Sequence, residues 1–159
     1  MTSKTLCRLV RFAAISTSAC GLIILAYILP LFIESRIVSN LIPFTWYYPW
    51  MAFIILTSLP CFAVMVLVWL VSYSVKNDEV FTVKTSKRIQ YAAVLLFADA
   101  GFFLLGNVVL SILHMNNSLL MLGALFLDIF IIALALLASV LSRYIAKAAA
   151  LQEESDGTI

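Results

Sequence analysis

Four long apolar segments, separated by short polar stretches, dominate this 159-residue chain and cover residues 10–33, 51–75, 91–113 and 119–142. Each segment exceeds the roughly 20 apolar residues that a helix needs to cross a hydrocarbon core of about 30 Å. Backbone polar groups in lipid are satisfied only within helices or closed barrels, and the alternation of barrel strands is absent. We therefore predict an all-α fold, an integral membrane four-helix bundle forming one domain over residues 1–159.

Positive charge is distributed unequally between the two sides of these segments. Arg36 lies on one side, whereas the other side carries nine of the ten Lys and Arg residues, namely Lys4, Arg8, Arg11, Lys76, Lys84, Lys87, Arg88, Arg143 and Lys147. Cytoplasmic loops of membrane proteins carry an excess of Lys and Arg. The distribution predicts that both termini, the middle loop and a tail over residues 143–159 face the cytoplasm.

The polar connections carry signals of helix ends. Thr82 is a suitable N-cap for a helix that begins near Val83, which would be an extension of the third span or a short helix on the membrane surface. The short connection over residues 114–118 predicts an antiparallel hairpin of the last two spans. Alanine-rich sequence over residues 146–150 favours continuation of the last helix, and Gly157 is a plausible stop.

The composition argues against an enzyme. Hydrophobic residues make up 64% of the chain and charged residues 11%, compared with about 25% charged in soluble domains. The spans leave no room for a soluble catalytic domain. His114 is the only histidine, and no cysteine pair at metal spacing or phosphate-binding glycine loop is present. We expect no catalytic residues, no cofactor and no metal site, and we expect Cys7, Cys20 and Cys61 to be small buried side chains.

Two acids lie deep within the apolar segments. Asp99 is eight residues beyond Tyr91, and Asp128 is nine residues beyond Leu119. At 1.5 Å per residue they are about 12 and 14 Å from opposite ends of an antiparallel hairpin, and therefore at similar depth. A charged side chain at the bilayer centre costs about 2.5–3.5 kcal/mol on insertion scales, so each acid requires a physical reason.

The reason is either structural or functional. No basic residue stands near these acids, so we expect them to be neutral or to share one proton, with Asn107 among their polar neighbours. They would then clamp helices through hydrogen bonds, or relay protons or bind a cation. Residues at helical spacing should face the interior with them: Gly106 with Asp99, Ala135, Ser139 and Ser142 with Asp128, and Ala13, Thr17 and Gly21 in the first span.

The last residues point to a family. The acidic stretch with Glu153, Glu154 and Asp156 closes on Thr158 and Ile159, and Phe81-Thr82 precedes a basic helix. This resembles a family of small bacterial four-span membrane proteins that is catalogued as a domain of unknown function. The chain departs from the pattern at Thr85, where relatives often have Asn, and it lacks the usual glycine before the Phe. The resemblance implies a multi-pass protein of the bacterial cytoplasmic, or inner, membrane.

Genes of that family often neighbour a gene for a small Cro-like helix-turn-helix protein. The resemblance therefore implies a membrane partner that sequesters or modulates a cytoplasmic DNA-binding regulator, without binding nucleic acid itself. The matching surface would combine the basic loop with the acidic tail, namely Lys84, Lys87, Arg88, Glu153, Glu154, Asp156, Thr158 and Ile159. Two alternatives stay open. One is immunity against a membrane-active peptide, and the other is a small transporter or channel subunit using Asp99 and Asp128, for which a homo-oligomer around a pore is the expected arrangement.

Overall fold

The computed structural model describes residues 3–39, 43–76, 80–116 and 118–156, without the side chains of residues 3, 4, 6, 76 and 156. Thr158 and Ile159 of the predicted tail lie outside the described residues, as does Gly157. The elements in chain order are α1 (Ser3–Ile23), a π-helical turn (Ile24–Ile28), α2 (Leu29–Val38), a 3-10 turn (Phe44–Trp46), α3 (Tyr47–Lys76), α4 (Val83–Ile112) and α5 (Ser118–Asp156). These described elements include no strand, which confirms the all-α prediction.

Four helical segments are long and apolar enough to cross a membrane: Cys7–Val38, Phe44–Val75, Val83–Ile112 and Ser118–Ser155. Large apolar side chains cover the outside of the bundle, and Phe12, Tyr27, Ile112 and Phe126 are each about 70% exposed. Such a surface is stable only against lipid, because in water it would be one continuous apolar patch. The chain is therefore a multi-pass membrane protein, as its hydropathy predicts.

Helices α4 and α5 form the closest pair of the bundle. Ser86 Oγ donates a hydrogen bond to Ser142 O at 2.9 Å, and Ser142 Oγ lies 3.0 Å from Ser86 O. Small side chains let two helix backbones come close together, and the two helices bury five alanines, namely Ala92, Ala93, Ala100, Ala135 and Ala149. The antiparallel hairpin predicted for the last two spans is therefore present.

The hairpin connection ends α4 with a Schellman motif. His114 has a φ of 56°, and the N–H of Met115 donates to Leu110 O at 2.8 Å. This motif provides hydrogen bonds for carbonyl groups that otherwise lack a partner at the end of a helix. The position of His114 is commonly occupied by glycine, which adopts a positive φ without strain. Trp50 Nε1 donates to Met115 O at 2.8 Å, which ties the connection to the start of α3.

The other end of the hairpin follows the capping prediction. Thr82 Oγ1 accepts a hydrogen bond from Thr85 N at 3.3 Å, and α4 runs without a break from Val83. The basic segment is therefore an extension of the third span, and a separate surface helix is not formed. Helix α5 likewise continues through the alanine-rich stretch to Asp156.

Helix α1 turns a different face inward from the one predicted by its small residues. Ala13 and Thr17 are exposed, whereas the buried and half-buried positions among its described side chains are Cys7, Val10, Arg11, Ala14, Ser18 and Gly21. Cys7 Sγ donates to Ser72 O at 3.2 Å, and Arg11 Nε donates to Ser72 Oγ at 3.1 Å. These polar anchors to α3 set the rotation of α1, so the prediction from small-residue spacing was wrong for Ala13. Thr17 is also exposed, but it borders a space between the helices.

Close packing runs from α1 to α3, from α3 to α4, and from α4 to α5. Among the described residues, α1 and α5 do not form a pair of comparable closeness. This order leaves a space in the bundle between α1 and α5, and Asp99 of α4 borders that space.

Candidate functional site

The interior of the bundle is unusually polar for a protein with such an apolar exterior. Its buried polar side chains come from α3, α4 and α5, and they are Thr57, Ser72, Ser74, Thr85, Ser86, Asp99, Asn107, Asp128 and Ser142. Hydroxyl groups in a membrane helix can be satisfied by their own backbone, as Thr57 is by Phe53 O. Carboxyl groups have no such local solution, so Asp99 and Asp128 stand out as the groups that need an explanation.

Asp99 and Asp128 lie at the same level of the hairpin. The Ser86–Ser142 contact sets the register between the two helices. From it, Asp99 is thirteen residues along α4 and Asp128 is fourteen residues back along α5. At 1.5 Å per residue the two positions agree to within about 2 Å. Both side chains are inside the bundle, with 3% of Asp99 and 4% of Asp128 exposed.

Neither acid acts as a full hydrogen-bonded clamp between helices. Cys61 Sγ lies 3.4 Å from Asp99 Oδ2 and donates a weak thiol hydrogen bond to it. Asp99 Oδ1 and Asp128 Oδ1 are buried without any hydrogen-bond partner. An unpartnered buried oxygen costs free energy, about 1–3 kcal/mol. The two acids therefore carry a cost of burial that the hydrogen bonds of the described residues do not fully offset.

Asp99 lines a cavity of about 330 Å³, which we call the Asp99 cavity. All four spans contribute to its wall, with Thr17, Ser18, Gly21, Ile24 and Leu25 from α1 and the adjoining turn, Ile54, Thr57, Ser58, Cys61, Phe62 and Met65 from α3, Asp99 and Phe103 from α4, and Leu127 and Ile131 from α5. Thr17, Ile24, Cys61 and Leu127 are themselves exposed. The cavity is therefore open toward the lipid-facing side of the bundle.

Asp128 borders a different space from Asp99. Its crevice between α4 and α5 is too narrow to hold a water molecule and is shared with Phe103, Asn107 and Met121. Asn107 itself is satisfied, because its Nδ2 donates to Phe103 O at 2.9 Å and its Oδ1 accepts from Asn116 Nδ2 at 3.3 Å. Asn107 therefore supports the hairpin connection and makes no hydrogen bond to either acid.

The π-helical turn in the first span also borders the Asp99 cavity, through Ile24 and Leu25. Pro30 follows this turn at the start of α2 and has no N–H to donate to the preceding turn. The extra residue of the π-turn accommodates that loss, with the N–H of Leu29 bonded to Ile24 O. Such turns are frequent at functional sites, and here the widened turn coincides with the cavity wall.

The cysteines depart from the sequence-based expectation. Cys7 is buried, but Cys20 and Cys61 are exposed, so the expectation of three buried side chains was wrong for two of them. Cys61 faces the Asp99 cavity, and Cys20 lies on the outer surface of α1. Sequence reasoning missed the pairing of Cys61 with Asp99, because nothing in the spacing of the two residues relates α3 to α4.

Arg11 is a basic residue within the first apolar segment, yet it cannot pair with Asp99. Its guanidinium packs on Trp69 and Tyr73, with 5.4 and 4.6 Å to the ring centroids. Its partner Ser72 lies eleven residues beyond Cys61 in α3, which is a rise of about 16 Å. The Asp99 cavity therefore contains an acid without a counter-ion.

The predicted partner-binding residues fall into three groups. Lys84, Lys87, Glu153 and Glu154 are exposed. Arg88 is engaged within the bundle, since its Nη1 donates to Leu70 O at 2.9 Å and approaches Ser74 Oγ at 3.4 Å. The side chain of Asp156, with Thr158 and Ile159, lies outside the described residues. The side chains described contain no cluster of three or more His, Cys, Asp or Glu residues that could hold a metal ion.

A family model described as protein of unknown function (DUF2975) matches residues 39–159. The match covers more than half of the chain, so the chain belongs to this family. The matched part contains α3, α4 and α5 with both acids, whereas the wall that α1 contributes to the Asp99 cavity precedes it. No curated protein and no solved structure matches the chain.

Proposed function

We propose that this member of the DUF2975 family is a non-enzymatic bacterial membrane protein that holds or modulates a small cytoplasmic helix-turn-helix regulator. The observation that carries the proposal is the length of α5. The helix continues to Asp156, seven residues past its last buried position, Ala149, a rise of about 10 Å. A helix that projects this far from a bundle offers a docking surface at the membrane face.

The charges on this face suit a small partner with a basic surface. Glu153 and Glu154 are exposed near the tip of α5, and Lys84 and Lys87 are exposed at the start of α4. In the register of the hairpin, Lys84 is level with residue 144, so the acids stand about 13 Å farther out. The acidic tip would contact a regulator first, and the lysines would face the membrane surface or a second part of the partner.

The test is charge reversal of the acidic tip in the full chain. The partner in this test is the small DNA-binding protein encoded by the neighbouring gene. We expect Glu153→Lys with Glu154→Lys to weaken its affinity for the chain, measured by co-purification, about tenfold, which corresponds to about 1.4 kcal/mol. Transcription of the operon, measured with a reporter, should change in parallel. The matched control is Glu153→Asp with Glu154→Asp, which keeps both charges and should keep binding.

Removal of residues 157–159 tests the terminal anchor separately from the acids. We expect the truncated chain to insert normally and to release the regulator faster, since apolar contacts mainly set dissociation rates while charges set association rates. Normal binding and normal transcription in both the charge-reversal and the truncated chains would contradict the proposal. The two alternative functions, an immunity protein and a transporter, would then describe the protein better.

A second function is favoured by one specific observation, the unpartnered carboxyl of Asp99 in an open cavity. Acids inside a membrane domain commonly mark an ion or proton pathway. We propose on this basis a small transporter or channel subunit, in which copies of the chain would complete a path. Reconstitution in liposomes tests it: a proton-dependent flux that Asp99→Asn abolishes would support transport, and absence of any flux would oppose it.

A further inference from the structure

We propose that the Asp99 cavity is a binding site for a small hydrophobic cation, which the Asp99 carboxylate holds from inside the bundle. The inference concerns binding alone. It requires neither docking of a regulator nor movement of the cation across the membrane, so it stands or falls independently of both proposed functions.

The first argument is the state of the Asp99 side chain. Only 3% of it is exposed, it lines the cavity, and its Oδ1 has no hydrogen-bond partner. Its other oxygen accepts only the thiol of Cys61. The unpartnered oxygen itself has almost no accessible surface, so a ligand in the cavity would reach it after a small rotation of the carboxyl group. Ligand binding would then relieve the cost of burying the carboxylate.

The second argument is the sign of the charge. The described wall of the cavity contains no Lys, Arg or His. The titratable groups near Asp99 are Cys61 on α3 and Asp128 at the same level on α5. The wall residues of α1, which are Thr17, Ser18 and Gly21, carry no titratable group. Every neighbour that can ionise would therefore add negative charge, which favours a cation.

The third argument is the chemistry of the wall, which selects an organic cation over a metal ion. Hard cations such as Ca²⁺ take six to eight oxygen ligands. Here the oxygen-bearing side chains of the wall are one carboxyl group and four hydroxyl groups spread over three helices, and the remaining wall is mostly Ile, Leu, Phe and Met. A cation that carries its own apolar surface matches such a wall, and the opening toward lipid offers it a route of entry.

The size of the cavity narrows the ligand class. A volume of about 330 Å³ lies at the lower end of small-molecule sites, which are about 300–1,000 Å³. The site therefore suits a quaternary or protonated amine with one aromatic or branched alkyl group. We name benzyltrimethylammonium as the probe, because its charge does not depend on pH.

The experiment is a binding titration of benzyltrimethylammonium to the purified full chain in mild detergent. The neutral isostere neopentylbenzene, in which carbon replaces the nitrogen, is titrated in parallel. We expect saturable binding of the cation and at least about 30-fold weaker binding in Asp99→Asn, the loss expected when one partner of a buried charge pair is neutralised. Asp128→Asn is the matched control and should keep the affinity for the cation within about twofold, since Asp128 borders the narrow crevice between α4 and α5 and not the Asp99 cavity.

Protonation of Asp99 competes with the cation, so the affinity of the unaltered chain should rise with pH. The neutral carboxyl offers no charge to the probe, and the carboxylate does. Because the probe cannot titrate, this dependence should vanish in Asp99→Asn. A merely structural role of Asp99 would not produce it, and the same measurement in Asp128→Asn shows whether the neighbouring acid contributes.

A second variant keeps the carboxylate and removes the space. At Gly21 an added Cβ would meet Phe62 at 3.6 Å, an ordinary contact. We expect Gly21→Leu to fold, as judged by size-exclusion chromatography, and to lose the probe. Equal binding by Asp99→Asn, equal affinity for the neutral isostere, or undiminished binding by folded Gly21→Leu would each overturn the proposal. The second of these outcomes would identify the cavity as an apolar site for lipid chains.

Discussion

At the scale of single residues, a missing side chain decides how closely α3 and α4 can approach. The Phe53 ring occupies the place where a Cβ on Gly106 would be. The same ring stacks on Phe103, with centroids 5.6 Å apart. Sequence spacing placed Gly106 on the same face as Asp99, but only the structure shows that an aromatic ring from the neighbouring helix uses the space.

We expect Gly106→Ala to lower the free energy of unfolding by about 1–3 kcal/mol, because the Phe53 ring of α3 must move away from the surface of α4. Gly101→Ala is the control on the same helix, since an added Cβ there meets nothing within 4 Å. The control should cause no loss. Unfolding in a denaturing detergent titration measures both variants, and equal stability of the two would contradict the assigned role of Gly106.

The unpartnered oxygen of Asp128 gives a second prediction at this scale. We expect Asp128→Leu to raise the free energy of unfolding by about 1 kcal/mol, since it removes an unsatisfied buried polar atom at similar volume. Asp128→Asn keeps a polar group and should stay near the unaltered chain. If Asp128→Leu instead destabilises the protein, Asp128 is a hydrogen-bonded clamp, which is the structural alternative that the sequence left open.

At the scale of elements, reciprocal serine contacts hold the α4–α5 hairpin in register. Ser86 and Ser142 each place a hydroxyl near the carbonyl of the other, and Ser142 Oγ also lies 3.1 Å from Gln90 Oε1. The register they set is the reason that two acids from different helices share one level. The sequence contained both serines, but their pairing depends on the rotation of two helices about their axes.

We expect Ser86→Ala or Ser142→Ala alone to cost about 0.5–1.5 kcal/mol in unfolding free energy. The double variant should cost less than the sum of the two, because each single change already breaks the shared contact. Ser139→Ala, a half-buried position one turn earlier on α5, serves as the control and should change stability by at most about 0.5 kcal/mol. Strict additivity in the double-mutant cycle would mean that the serines do not interact.

At the scale of the whole molecule, the basic residues gather at one end of the bundle. Arg11 contacts Ser72 near the end of α3, Arg88 contacts Leu70 from the start of α4, and Ser86 contacts Ser142. The beginning of α1 and α4 and the later parts of α3 and α5 are thus at the same end. The bundle has a single strongly basic end, as required by the predicted orientation.

That orientation is tested by cysteine accessibility at two exposed positions, Ser39 after α2 and Ser155 near the end of α5. We expect a membrane-impermeant maleimide to label Ser39→Cys on intact cells and to label Ser155→Cys only after permeabilisation. The physical reason is retention of Lys and Arg on the cytoplasmic side. Labelling of position 155 from outside, or protection of position 39, would reverse the proposed topology and remove the basis for a cytoplasmic partner.

The sequence by itself determined the four spans, the cap at Thr82 and the shared level of Asp99 and Asp128. Length, hydropathy, local capping and rise per residue depend only on neighbours along the chain. Tertiary structure alone decided that Cys61 meets Asp99, that Arg11 anchors α1 at Ser72, and that a cavity opens beside one acid and not the other. These contacts depend on how each helix is rotated, and a helix that is apolar all round contains little periodic pattern from which that rotation could be predicted.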